Sequence, residues 1–193
     1  RELDLMMRHT TGVSKALGVA RYIRILLEND IPVLLMGWHR DVYEIWLDEL
    51  ADLKPVMYTG SESEKQKNDS VQRFVSGETN LFIMSLRSGA GLDGLQFRCS
   101  TVVFGELDWS PKVHEQIIGR LHREGQQEQI TAIYLNTNEG SDPPMVEVLG
   151  VKQFQSTGII DPGKQLETKF SDKSRIQVLA EQFLNKKTNK EAA

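Results

Sequence analysis

An alternation constrains this chain more than any other feature. Short runs of β-branched and large apolar residues recur between stretches whose apolar residues fall at helical spacing. Val33-Leu34-Leu35-Met36, Val56-Met57-Tyr58, Leu81-Phe82-Ile83-Met84, Thr101-Val102-Val103-Phe104 and Ile130-Thr131-Ala132-Ile133-Tyr134-Leu135 are the candidate strands. The first is short and uninterrupted, as a strand buried on both faces should be. Ahead of it, Thr10 and Thr11 are candidate caps for a helix with Ala16, Val19, Ala20, Ile23, Leu26 and Leu27 on one side. Asp41 is the candidate cap of a helix carrying Val42, Ile45, Trp46 and Leu50. Ser61-Glu62-Ser63-Glu64 reads as a capping box opening a helix to about Val75, with Val71, Phe74 and Val75 inward. Pro111, favourable in a first turn, opens a helix running to about His122. Strands alternating with helices predict a parallel sheet covered on both faces and joined by right-handed crossovers.

The pattern then weakens. Residues 136–145, with Asn136, Asn138, Gly140, Ser141, Pro143 and Pro144, read as a polar loop, and 145–160 is weakly helical. The segment 172–187 has Ile176, Leu179, Phe183 and Leu184 at helical spacing, and 185–193 is polar. A length of 193 residues fits one domain with an appendage. The expected division is a main lobe over 1–160 and a helical extension over 161–193.

A net charge of −4 excludes a uniformly basic nucleic-acid binder but leaves room for a local basic stripe. No run approaches the roughly 18 apolar residues of a membrane span, and the first residues lack the order of a signal peptide. Cys99 is the only cysteine, so no disulfide can form within the chain, and a reducing compartment is expected. These features predict a soluble intracellular protein, and Arg1 in place of Met suggests a piece of a longer one.

In a parallel α/β sheet the working loops lie at the carboxyl ends of the strands. After Leu81–Met84 comes Ser85-Leu86-Arg87-Ser88-Gly89-Ala90-Gly91-Leu92-Asp93-Gly94. Its small residues would let backbone amides approach a phosphate, although such loops more often simply turn the chain into a helix. Further on, Gln116, Arg120 and Arg123 share a helical face, with Arg123 one turn after Arg120 near the end of the helix that begins at Pro111, making a donor surface for a polyanion. The bland alternative is a solvated face paired with Glu115, Glu124 and Glu128. The chain has no Gly-x-x-x-x-Gly-Lys-Ser/Thr loop and no strand-ending Asp-Glu pair for magnesium, so it could supply only part of a nucleotide site. No spacing among His9, His39, His114, His122 and Cys99 completes a zinc set, and no metal ligand is assigned. Trp38 and Trp109 could stack on bases or pack beside their strands, Trp46 belongs to the core, and Cys99 is expected to be packed.

The run Gln116-x-x-Gly119-Arg120-x-His122-Arg123-x-Gly125-Gln126 resembles motif VI of the Swi/Snf branch of superfamily 2 helicases. Supporting matches follow in the family's order. Val33–Met36 with Trp38-His39 resembles motif IV, and Tyr58-Thr59-Gly60-Ser61 with Phe74 and Gly77 resembles the segment after it. Ser85 to Asp93 resembles motif V, and Asp108-Trp109-Ser110-Pro111 resembles the connection to motif VI. The resemblance spans about residues 10–136. Motif V departs from the branch in carrying Asp93 where Asn is usual.

This resemblance implies the second of two RecA-like lobes, a three-layer domain with a parallel sheet flanked by helices. It also implies an ATP-driven motor on double-stranded DNA. ATP and Mg2+ would sit between this lobe and an N-terminal RecA-like lobe of the same protein. Arg120 and Arg123 would act as the catalytic arginines, with Gln116, Gly91 and Asp93 on the nucleotide. His39, Arg40, Thr59, Gly60, Ser85, Arg87, Ser88 and Trp109 would face the DNA backbone. The chain alone is expected to be monomeric and inactive, placed in the cytoplasm of a bacterium or archaeon or in a eukaryotic nucleus. The alternatives are a non-catalytic docking module with the same fold and, less favoured by Gly125-Gln126 and Trp109-Ser110-Pro111, an RNA helicase lobe.

Overall fold

The computed structural model describes residues 2–88 and 92–150. Its contacts divide the chain into two units, one of Gly12–Leu135 and one of Arg1–Thr11 with Asn136–Ala193. The expected extension over 161–193 and its helical segment at 172–187 lie outside the described residues.

The larger unit is built on five parallel strands: β1 (Val33–Gly37), β2 (Val56–Tyr58), β3 (Leu81–Ser85), β4 (Thr101–Phe104) and β5 (Thr131–Tyr134). Their spatial order is β2-β3-β1-β4-β5. Every residue of β1 and β4 is buried, whereas β5, at an edge, is only half-covered. That contrast explains why the inner runs are unbroken apolar sequence. Helices α1 (Glu2–Glu28), α2 (Arg40–Glu49), α3 (Glu64–Val75) and α4 (Pro111–Leu121) connect and flank the strands. Ala16, Ala20 and Ile23 of α1 and Val42 and Trp46 of α2 close one core with Val33, Leu35, Ile83 and Val103. The Trp46 indole Nε1 donates to the carbonyl of Ala16 at 3.2 Å, so the ring is buried without an orphaned donor. Its ring fills the space beside Gly37 and Gly105, where an added Cβ would sit 2.6 Å from ring carbons.

Register decides which loops meet. Gly37 pairs with Ser85, Met36 with both Met84 and Phe104, and Tyr58 with Met84. Trp38-His39-Arg40, Thr59-Gly60, Leu86-Arg87-Ser88 and Glu106-Leu107-Asp108 therefore leave the same edge of the sheet.

Several helix boundaries differ from the sequence expectation. Thr10 and Thr11 lie within α1, which starts at Glu2 because no Gly or Pro interrupts residues 2–11; Thr11 Oγ1 instead accepts the amide of Ser141 at 3.0 Å. The cap of α2 is His39 in extended conformation, and Asp41 lies one residue inside the helix. The capping box is shifted by two residues to Ser63 and Gln66, whose amides and side chains bond reciprocally at 3.3 and 2.8 Å. Pro143 and Pro144 open helix α5 (Asp142–Leu149) instead of lying in a loop, since a first turn has no use for their missing N–H groups. In that smaller unit Asp142 accepts the Thr137 amide at 3.0 Å.

Candidate functional site

Two polar corners form along the carboxyl edge of the sheet. The first is organised by Glu106, which follows β4 and is only 4 % exposed. One carboxylate oxygen accepts the main-chain amides of Trp38 and His39 at 2.7 and 2.9 Å, and the other meets His39 Nδ1 at 2.6 Å. These bonds satisfy free donors at the start of α2 and place a negative charge where the helix dipole favours one. Gly12 of α1 abuts the same carboxylate, and any side chain there would run into it. Tyr43 packs against Gly37 beneath this corner, and burial pushes its phenol well above the usual range.

Beside this corner, Arg87 lies over the Trp38 ring at 5.1 Å and pairs with Asp108 at 3.0 Å. Asp108 is 1 % exposed, and its other oxygen accepts the amide of Ser110 at 2.9 Å. His114, one turn into α4, accepts the Asp108 amide at Nε2 over 3.4 Å, which leaves Nδ1 to donate to the Ser110 carbonyl at 3.1 Å. The imidazole also packs against Phe104 in a tilted arrangement, with ring centres 4.7 Å apart. The segment Asp108–Pro111 is thus clamped from both sides.

The second corner carries the two arginines. Arg120, on α4, donates to the carbonyl of Ser88 at 3.1 Å. Burial, and then the neighbouring Arg123 charge, hold its guanidinium below the usual arginine range. Arg123 pairs with Asp93 at 2.6 Å and reaches the Leu92 carbonyl at 3.4 Å. This pair is open to solvent. Helical spacing does not align the two arginines as expected. Helix α4 ends at Leu121, so Arg123 lies beyond its last turn. The cause is Gly125-Gln126. Gly125 turns at φ +92° against the Phe97 ring, and the Gln126 amide donates to the carbonyls of Leu121 and Cys99 at 3.3 and 2.9 Å. Gly125 and Gln126 thus close α4 and tie its end to the segment just before β4.

The other expected site residues divide clearly. Arg40, Gly60, Arg87 and Gln116 are exposed, while His39, Ser85 and Ser88 are half-buried. Gly91 lies outside the described residues. Two of the residues expected at the DNA face are buried. Thr59 is buried, and its hydroxyl donates to the Glu62 carboxylate at about 3 Å while its amide bonds the same group. It shapes the turn after β2 and has no free hydroxyl to offer a phosphate. Trp109 is only 5 % exposed and lies between Asp108 and Ser110, whose amide bonds the Asp108 carboxylate. Arg123 pairs neither with Glu124 nor with Glu128, which instead accepts the Ser100 hydroxyl at 2.6 Å.

Sequence reasoning missed Glu106. Its signal was a carboxylate two residues after a fully buried strand, a place where an unpaired charge would be costly. Cys99 is buried as expected, with its thiol pushed up to about 11 by burial. Among the described residues, no group of three or more His, Cys, Asp or Glu is arranged to hold a metal ion. None of the helices described is long and apolar enough to cross a membrane.

Five parallel strands with loops gathered at one edge and arginines at the end of the last flanking helix define a RecA-like lobe. The C-terminal part of the Fun30 ATPase domain has the same fold, with a TM-score of 0.58 and 18 % identity over 66 % of this chain and 42 % of that one. The family model described as helicase conserved C-terminal domain matches residues 18–125, more than half of the chain, and the chain belongs to that family. The chain is 30 % identical to the DNA annealing helicase and endonuclease ZRANB3 of Bos taurus over 88 % of its own length and 16 % of that protein's. It is 26 % identical to the chromatin-remodeling ATPase INO80 of Schizosaccharomyces pombe over 92 % of its length and 12 % of that protein's. Within the family it is of the Swi/Snf type, and it spans about a sixth or less of the two curated relatives just named.

Proposed function

We propose that this chain is the second lobe of an ATP-driven translocase on double-stranded DNA. It completes the ATP site of an N-terminal RecA-like lobe and provides part of the surface that tracks the DNA backbone. The observation that carries this reading is the convergence of Arg120 and Arg123 on the loop after β3. Two like charges are held close together there, one of them partly buried and destabilised by the other. A polyphosphate would relieve that repulsion and offers more negative charge than Asp93, so it would displace the carboxylate from Arg123. ATP with Mg2+ would be held mainly by the N-terminal lobe, with Gln116, Gly91 and Asp93 at its margin. Developing charge on the transferred phosphoryl group would be stabilised by guanidiniums held in a closed cleft, where a donor inserted from a neighbouring domain is worth about 10³–10⁵ in rate.

The DNA-facing residues in this reading are His39, Arg40, Gly60, Ser85, Arg87 and Ser88. They are suited to phosphate contacts with little base readout. The test is Arg123→Ala in the protein that carries both lobes. DNA-stimulated ATP turnover should fall about 10²–10³-fold, with DNA binding and folding retained. Arg123→Lys should restore little, because an ammonium lacks the planar fork that grips two oxygens. Near-normal turnover of Arg123→Ala at saturating DNA would overturn the proposal. The 193-residue chain alone should fold and hydrolyse no ATP; DNA-stimulated turnover by the purified chain would count against this division of labour.

A further inference from the structure

Glu106 does more than fill a buried position. Its two oxygens have different tasks, one gathering the amides of Trp38 and His39 and the other meeting His39 Nδ1. An ionised carboxylate only accepts, so the 2.6 Å contact requires the proton to sit on Nδ1. We propose that Glu106 is a positioning residue of the nucleic-acid face. It selects the Nδ1–H form of His39 and fixes the direction in which Trp38, His39 and Arg40 leave β1. This rests on the reading of that face given above, and it assigns the control of its geometry to a residue that contacts no nucleic acid.

Three observations converge on Glu106. It is almost completely buried, so it is not itself a surface contact. The molecule is shaped around it: Gly12 leaves no room for a side chain, and the Glu106 amide is itself fixed by the Met36 carbonyl at 3.2 Å. Its influence also reaches the next basic residue, since the Trp38 whose main-chain amide it holds has its ring beneath Arg87. A glutamine is nearly the same size, but in the orientation that keeps its oxygen on the two amides its NH2 faces His39 Nδ1. The imidazole must then accept at Nδ1 and carry its proton at Nε2. Glu106→Gln therefore inverts the tautomer with little change in volume.

The experiment uses the whole chain, 15N-labelled at histidine, with heteronuclear NMR of the ring nitrogens and titration of a fluorescent duplex at several salt concentrations. Wild-type His39 should show a protonated Nδ1, and Glu106→Gln should move the proton to Nε2. Duplex affinity of the variant should fall about three- to tenfold. His114, whose Nδ1–H form is set by separate partners, should keep its signature in both proteins and serves as an internal control. A wild-type His39 protonated at Nε2 alone would overturn the proposal, and this needs no variant to fold. An unchanged His39 signature in Glu106→Gln would also overturn it. If the tautomer inverts and affinity stays constant while Arg40→Ala and Arg87→Ala weaken binding, the positioning role fails and the nucleic-acid face stands. If neither arginine variant weakens binding, the reading of that face is what fails.

Discussion

The two polar corners of the sheet edge are built on opposite plans. Around Glu106 and Asp108 each carboxylate is buried and accepts more than one bond, Glu106 from the main-chain amides of Trp38 and His39 and Asp108 from the amide of Ser110 and the Arg87 guanidinium. Around Arg120 and Arg123, among the described residues, one arginine rests on the Ser88 carbonyl and the other on an exposed carboxylate, Asp93. Buried, multiply bonded charges are expensive to break because each lost partner leaves a desolvated group behind. An exposed pair exchanges partners at little cost. The first corner is suited to presenting a fixed surface, and the second to trading one anionic partner for another.

That contrast can be broken from either side. The largest effect expected on folding is from Glu106→Ala, which strips the Trp38 and His39 amides and the His39 ring of their acceptor. At about 1–3 kcal/mol for each orphaned group, a urea titration should show a loss of at least about 2 kcal/mol. Asp93→Ala removes the equivalent carboxylate of the loose corner and should cost no more than about 1 kcal/mol in the same titration. Equal losses would erase the distinction. On binding, Arg87→Ala should weaken duplex affinity at all sequences alike and reduce the slope of log affinity against log salt by about 1. Asp93→Asn should leave that slope unchanged.

The smallest expected effect is at high pH. Burial raises the Cys99 thiol from 9.0 to about 11 and the Tyr134 phenol from 10.0 to about 12, the latter with help from Glu115, and it raises Tyr43 in the rigid corner as well. For each of these acids the native state holds its proton more tightly than the unfolded chain. Their contribution to stability is complete below about pH 9 and is lost as pH rises through the folded values. Denaturant midpoints measured from neutral pH to about pH 11 should fall monotonically across that window. A rise would contradict the burial of all three groups.

Much of the framework was legible because it rests on local rules. The strand runs at 56–58 and 101–104 match their observed limits, and Trp46 is the core residue its helical spacing implied. Boundaries that depend on competition between neighbouring signals were less legible. Ser61 and Ser63 each have a capping-box partner three residues on, Glu64 and Gln66, so spacing does not choose between them; in the structure Gln66 answers Ser63, Glu64 accepts from Lys67 and Glu62 is drawn back to Thr59. Arg120 and Arg123 have the spacing of one helical face, yet Gln126 reaches back to the Leu121 carbonyl and ends the helix between them. Thr59 and Trp109 lie in segments that resemble the DNA-facing motifs, and the structure turns both inward.

The sequence by itself determined the class of fold, the order of its elements and the family, because periodicity, turn residues and linear motifs are properties of the chain read along its length. Only the tertiary structure decided which charges are locked and which are exchangeable. The partners of Glu106 lie 67 and 68 residues away, and Arg123 meets Asp93 across 30. Those pairs exist because parallel register brings the carboxyl ends of β1, β3 and β4 to one edge. Whether a carboxylate there is a buried anchor or an exposed counterion depends on how much of its surroundings the rest of the chain fills, and no local pattern encodes that.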